Sequence, residues 1–267
     1  MNQQRIDDAI QAFYGGVFDE DARLTSRSAQ GRLEFERTQE IVRTATPTPA
    51  RILDVGGATG VHAAALAADG YEVVLVDPVE SHVAAAQRVG TFRAVVGDAR
   101  QLDFPDGTFD AVLMAGPLYH LASREDRLLA LQEARRVSRV GGFVHAAAIP
   151  RLTAFAAAAL DPALLDEAPD AWLNLLRHGT PVPSLRFPAG HFHTPHELHE
   201  ELSAAGLTDV RVIGLEGPAG LALETTAEVS ASDYEAAKRL AYTFEETADI
   251  RDFSNHLLGT GRVERRR

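Results

Sequence analysis

The chain contains no cysteine. Disulfides, thiolate catalysis and cysteine-held metals are therefore excluded, and cytoplasmic residence is the default expectation. Lysine is almost missing too: Lys238 is the only one, so a Schiff base or lysine general base has a single candidate on an ordinary helical stretch. Basic residues are outnumbered, 26 Lys and Arg against 38 Asp and Glu, for a formal charge of −12. Such a surface repels phosphate backbones, and no nucleic-acid partner is expected. The one basic run, Arg262 to Arg267, reads as a solvated tail. No apolar run approaches the length of a membrane span, so no membrane association is expected. The first residues, MNQQRIDDAI, lack the basic start and apolar core of a secretory signal.

At 267 residues, with 45% hydrophobic and 24% charged residues, the chain suits one large α/β domain with an added element. Residues 1–50 are helical in pattern: Ile6, Ile10, Phe13 and Tyr14 recur at helical spacing, as do Leu33, Phe35, Thr38, Ile41 and Val42, with a break after Gly15-Gly16. Thr46-Pro47-Thr48-Pro49 ends that segment. Over residues 51–150 short apolar strands alternate with helices: ILDV, then EVVLVD (Glu72 to Asp77), RAVVGD (Arg93 to Asp98), FDAVLMAG (Phe109 to Gly116), a helix from Arg124 to Val137, and FVHAAAI (Phe143 to Ile149). That rhythm indicates a mostly parallel sheet with helices on both faces. Residues 151–192 break it. They are rich in Ala, Leu and Pro and read as an inserted helical cap. In 193–267 the pattern returns with a helix from His196 to Ala205, a strand from Val210 to Gly217, a helix from Asp233 to Asp249 and a strand near His256 to Gly261.

The sharpest signal is ILDVGGATG, Ile52 to Gly60, a strand running through a glycine-rich turn into an Ala-rich helix. Small residues in such a turn let backbone N–H groups approach a ligand closely. Asp54, Asp77 and Asp98 end consecutive strands and Asp110 opens the next, at the carboxyl edge where open α/β sheets bind ligands. One acid at a strand end means little; three beside a glycine turn are far more specific. A nicotinamide-binding fingerprint would need glycines where Ala58 and Val61 stand, so that reading loses.

Acid-x-Gly-x-Gly-x-Gly is matched by Asp54, Gly56 and Gly60, with Gly57 between and Ala58 in place of one glycine. It resembles the cofactor loop of class I S-adenosylmethionine-dependent methyltransferases of the small-molecule type. FDAVLMAGPLYHL and DRLLALQEARRVSRVGG look like the same family's fourth strand, helix and fifth-strand turn, and AFYGGVFDEDARL and AGHFHTPHELHEELSAAGL also fit. The resemblance implies a Rossmann-like, seven-stranded sheet with an N-terminal helical lid and a cap after the fifth strand. It implies S-adenosylmethionine as cofactor and S-adenosylhomocysteine as product. Carried over by position, Asp77 and Pro78 would serve the ribose, Asp98 and Ala99 the adenine, and Asp54 the methionine ammonium. Gly56, Gly57, Ala58 and Gly60 would form the turn, Met114 would also bind the cofactor, and Tyr14 would fold over the methionine end. The expected partner is a small methyl acceptor in specialised metabolism, and the expected state a monomer or homodimer.

The methyl of such a cofactor is intrinsically electrophilic, so alignment and water exclusion come first and a base is needed only for a protonated acceptor. Tyr119 and His120, just beyond the fourth strand, are the candidates for orienting or deprotonating it. Phe155, Leu160, Leu164, Leu165, Trp172, Leu175 and Leu176 could line an apolar acceptor pocket or form the cap's own core. His191 and His193 could face the substrate. The histidine crowd that continues with His196 and His199 is explained by a helix start at Thr194, Pro195 and Glu197, and no metal is expected. A protein that binds S-adenosylmethionine without methylating, and a nicotinamide oxidoreductase, are the alternatives.

Overall fold

The computed structural model describes residues 2–15, 20–161, 164, 167–226 and 228–265. Gly16, Leu165 and the last two arginines of the basic tail lie outside them. Strands β1 (Arg51–Val55), β2 (Glu72–Asp77), β3 (Arg93–Val96), β4 (Phe109–Met114), β5 (Ser138–Ala148), β6 (Leu207–Gly214) and β7 (Leu257–Val263) form one sheet in the order β3-β2-β1-β4-β5-β7-β6. The first five are mutually parallel; β7 runs antiparallel to both β5 and β6. This is a Rossmann-like, mostly parallel seven-stranded sheet, and its order reverses between β1 and β4.

Helices α1 (Gln3–Tyr14), α2 (Ala29–Ala45), α3 (Val61–Ala68), α4 (Glu80–Val89), α5 (Arg124–Val137), α6 (Arg151–Ala159), α7 (Pro169–His178), α8 (Pro195–Ala204), α9 (Gly220–Thr225) and α10 (Ala231–Thr243) accompany the sheet. The packing of β1 explains why both its even and odd positions carry apolar residues, Ile52 on one face and Leu53 and Val55 on the other. Leu53 and Val55 pack with Leu131, Ala134, Leu198 and Leu202 of α5 and α8, whereas Ile52 packs with Val42, Leu66 and Val83 of α2, α3 and α4. A strand buried on both faces cannot show polar alternation. The helix starts follow local chemistry. Ser28, Ser123 and Thr194 cap α2, α5 and α8, and Thr194 with Glu197 completes a capping box.

The differences from expectation are at β5, which begins at Ser138 and runs through Gly141-Gly142 instead of starting at Phe143, and in the C-terminal third. β6 starts at Leu207, where an irregularity between Thr208 and Arg211, with Asp209 at φ 50°, had masked the strand pattern. α10 ends at Thr243, capped by the Phe244 backbone N–H on the Leu240 carbonyl. In the cap, Ala158, Leu164, Leu175, Val182, Ala189 and Phe192 form a separate apolar cluster, with Phe155 and Trp172 packed against it.

Candidate active site

The turn after β1 owes its shape to glycine. Gly56 has φ 72° and its N–H donates to the Val76 carbonyl at 2.7 Å. A Cβ there would lie 2.8 Å from Pro117 Cδ, and one on Gly60 (φ 97°) 2.4 Å from Phe92 Cζ. Ala58 shares the left-handed backbone, at φ 48°, without glycine's freedom. Its N–H donates to Asp77 Oδ2 at 2.9 Å, and the Val79 N–H donates to Asp77 Oδ1 at 2.9 Å. Asp77 therefore ties the end of β2 to the glycine turn.

One cavity runs along the carboxyl edge of the sheet. Gly56, Gly57, Ala58, Asp77, Pro78, Asp98 and Ala99 line it from the sheet side, Tyr119 and His120 from the turn after β4, and Tyr14 from the lid. Asp54, Gly60 and Met114 stand behind this wall and are not among its lining residues. Met114 is wholly buried in the main core. Asp54 is also wholly buried, with both oxygens unpartnered and a Gly57 Cβ position only 2.6 Å from its Oδ2. Burial, reinforced by the Asp77 charge, pushes the Asp54 carboxyl up to about 7.

Helix α1 closes over the cavity through polar clips. Gln3 donates to the His120 carbonyl at 3.1 Å and accepts from the Ala122 N–H at 2.9 Å. Gln11 donates to the Pro78 carbonyl at 2.8 Å, and Arg100 reaches Asp7 at 3.2 Å. Ile6 and Ile10 pack on Val79 beneath. Arg100 also grips Asp98, at 2.6 Å to Oδ2. Burial works to raise the Asp98 carboxyl, but the Arg100 bonds outweigh it and hold it below its ordinary value.

At the other end, Tyr14 Oη lies 3.2 Å from His120 Nε2 while His120 Nδ1 lies 2.8 Å from the Pro188 carbonyl. A carbonyl only accepts, so the proton sits on Nδ1 and Nε2 carries the lone pair. Burial drives His120 down to about 4, against the Pro188 bond and the Asp77 and Asp7 charges. The ring is enclosed by Tyr119, Phe187 and Tyr14, with centroids 4.7, 5.3 and 5.6 Å away.

Phe155, Trp172, His191 and His193 lie apart from the cavity lining. Phe155 and Trp172 meet edge to face at 5.5 Å inside the cap. His193 Nε2 is 3.2 Å from Glu201, itself held by Arg127, and His191 is 3.7 Å from Glu197. The sequence reading had not singled out Arg23, Glu34, His62 and Arg100 among the lining residues. Arg100 follows Asp98-Ala99 directly and so carried a local signal; the other three sit on helical or irregular segments and carried none. Among the described residues, Glu34, Glu216 and His256 bring three ligand-type atoms within 4.8 Å. Arg23, Gln30 and Ser254 donate to those carboxylates, and Glu34 and Glu216 overcome burial to raise His256 to about 9, which makes this an ion-pair network.

Residues 52–142 match the family model for a methyltransferase domain. That segment is thus similar to a methyltransferase domain. Its relatives include a demethylmenaquinone methyltransferase of Beutenbergia cavernae, 40% identical over 93 residues, which are 34% of this chain and 38% of that protein. An uncharacterized methyltransferase of Mycobacterium sp. (strain KMS) is 34% identical over 132 residues, 49% of this chain and 47% of the relative. The chain thus spans less than half the length of these curated relatives. A Thermotoga maritima crystal structure, described as a S-adenosylmethionine-dependent methyltransferase and possible histamine N-methyltransferase, shares the fold with a TM-score of 0.62. That likeness covers 97% of this chain and 100% of the other at 16% identity. The matched segment contains the glycine turn, Asp77, Asp98 and His120, while α1 and residues 151–192 lie outside it.

Proposed function

We propose that this chain transfers a methyl group from S-adenosylmethionine to O, N or C of a small, apolar or aromatic metabolite. The observation that carries the reading is the composition of one cavity: two strand-end carboxylates, Asp77 and Asp98, and a glycine turn at one side, and the Tyr14–His120 pair at the other. The residues present fit an adenosine. A carboxylate at the end of β2 can accept two ribose hydroxyls, Asp98 an exocyclic amine, and the Ala99 N–H can meet the base. Gly56 and Gly57 line the floor of the cavity, and Pro78 and Tyr14 complete the walls.

Bound there, the cofactor supplies an electrophilic methyl group and leaves as S-adenosylhomocysteine. His120 Nε2, unprotonated at neutral pH, accepts the acceptor's proton as the methyl bond forms, and the Pro188 carbonyl keeps its lone pair directed inward. Tyr14 hands over its hydrogen bond or orients the acceptor, and Tyr119 offers a flat face to a ring. The closed lid excludes water. A cytoplasmic protein acting alone or as a homodimer on a specialised metabolite is the setting we infer; the acidic surface speaks against nucleic acid.

The test is the thermal midpoint with S-adenosylhomocysteine, with NAD as control. Ligand at a hundred times its Kd stabilises by about 2.7 kcal/mol. That is a rise of roughly 5–10 °C here. A rise with S-adenosylhomocysteine alone supports the cofactor; a rise with NAD alone, or none, overturns it. Methylated product from an acceptor screen then separates a methyltransferase from a protein that binds the cofactor to another end.

A further inference from the structure

The cavity continues past the glycine turn to a buried ion pair. Arg23 and Glu34 both line it, beside His62 at the start of α3. Their contact is two-pronged, 2.6 Å from Nη1 to Oε2 and 3.0 Å from Nη2 to Oε1. Their side chains are only 16% and 7% exposed. Opposite charges that face one cavity complement a zwitterion, whose own two charges can meet them head to tail.

We propose that Arg23 and Glu34 hold the amino-acid tail of the cofactor, its carboxylate on the Arg23 guanidinium and its ammonium on the Glu34 carboxylate, in place of Asp54. The proposal rests on the cofactor reading above. Asp54 is ill suited to the task, since it is sealed under Gly57 and absent from the cavity wall. Glu34 is on the wall and firmly placed. Gln30 donates to its Oε2 at 3.2 Å, and His256 Nδ1 stands 3.3 Å away, itself anchored on Glu216 at 2.6 Å. Burial opposes its charge, yet Arg23 and His256 lower the Glu34 carboxyl to about 2, so it stays ionised.

The backbone also holds the pair in position. A Cβ on Gly31 would fall 1.9 Å from the Arg23 carbonyl oxygen, so the turn bearing Arg23 lies flush against the first turn of α2. Asp21 of the same segment accepts a hydrogen bond from Thr59 of the glycine turn. The ion pair is thereby fixed against the loop over which the tail would pass.

Titration calorimetry on the full chain tests this with two ligands, S-adenosylhomocysteine and 5′-deoxy-5′-methylthioadenosine, which keeps the nucleoside and thioether but lacks the tail. Glu34→Gln should weaken S-adenosylhomocysteine by roughly tenfold to a hundredfold, the loss of one charge-assisted bond. Its affinity for methylthioadenosine should stay within about twofold. Arg23→Gln, at the less buried partner, should do the same and serves if Glu34→Gln fails to fold. Asp54→Asn should keep the preference for the tailed ligand. Variants that retain the wild-type preference, or lose both ligands equally, overturn the proposal. Wild-type protein that binds neither ligand overturns the cofactor reading, and this inference with it.

Discussion

Tyr14 on the lid and His120 behind β4 meet through one hydrogen bond of 3.2 Å, across 106 positions of sequence. The bond links lid closure to the orientation of the candidate base, because the partner of Nε2 arrives only when α1 is seated. Tyr14→Phe removes the hydroxyl and keeps the ring. Turnover with a proton-bearing acceptor should fall roughly tenfold or more, while S-adenosylhomocysteine affinity changes little. His120→Ala should cost more. With His120 held near 4 by burial, wild-type kcat should stay level from pH 8 down to about pH 5 and fall below that. A level profile retained in His120→Ala at full turnover would assign that residue a purely structural part.

The turn after β1 offers a sharper contrast. Ala58 occupies a left-handed backbone at φ 48°, a conformation that costs a residue with a Cβ about 1–2 kcal/mol. Ala58→Gly removes that strain at the expense of unfolded-chain entropy, so the thermal midpoint should hold or rise slightly. Gly56→Ala does the reverse, placing a methyl 2.8 Å from Pro117 Cδ at φ 72°. It should lower the midpoint by several degrees and weaken cofactor binding. Equal midpoints for the two variants would refute the strain argument.

Both residues belong to the part of the molecule that sequence displays openly. Strands buried on both faces, a glycine turn and acids at strand ends are local signals, and the first five strands follow from them. The edge of the sheet was harder, since the irregularity around Asp209 breaks the period by which β6 would be recognised. The far end of the site was invisible for a different reason. Arg23 looks like an ordinary charge in the break before the second helix and Glu34 like one on a helical stretch, and only tertiary packing turns them toward the cavity. Helical spacing likewise could not say which way Phe155 and Trp172 point, and they pack within the cap. Asp54 shows the opposite limit: a motif position is readable while its burial is not.

Arg127 and Glu201 pair at 2.7 Å where α5 meets α8, with side chains 5% and 3% exposed, and His193 closes the group. Arg127 also donates to the Leu121 and Ala122 carbonyls, so it braces the turn that carries His120. Arg127→Met leaves Glu201 buried without its guanidinium and should cost about 3–5 kcal/mol in urea unfolding. Replacing both, with Glu201→Leu added, should recover part of that loss. A double variant no more stable than Arg127→Met would indicate that the carbonyl contacts dominate over the ion pair.

The buried histidines give the fold a two-sided pH dependence. His62, His120, His145 and His193 are each lowered to about 4, burial being the largest cause. Between about 6.5 and 4 the unfolded chain takes up protons that the fold refuses, so stability falls as pH falls. Asp54 works in the opposite sense across that window, but it is one group against four. His256 is the reverse case. Burial lowers it, yet Glu34 and Glu216 raise it to about 9, so its contribution is complete below pH 6.5 and fades as pH rises through 9. His256→Gln should therefore be most destabilising near pH 6, and the gap to wild type should close by about pH 10. Urea midpoints at pH 6, 8 and 10 measure it. A gap that stays constant across the series would mean that the ring matters for its packing and not for its charge.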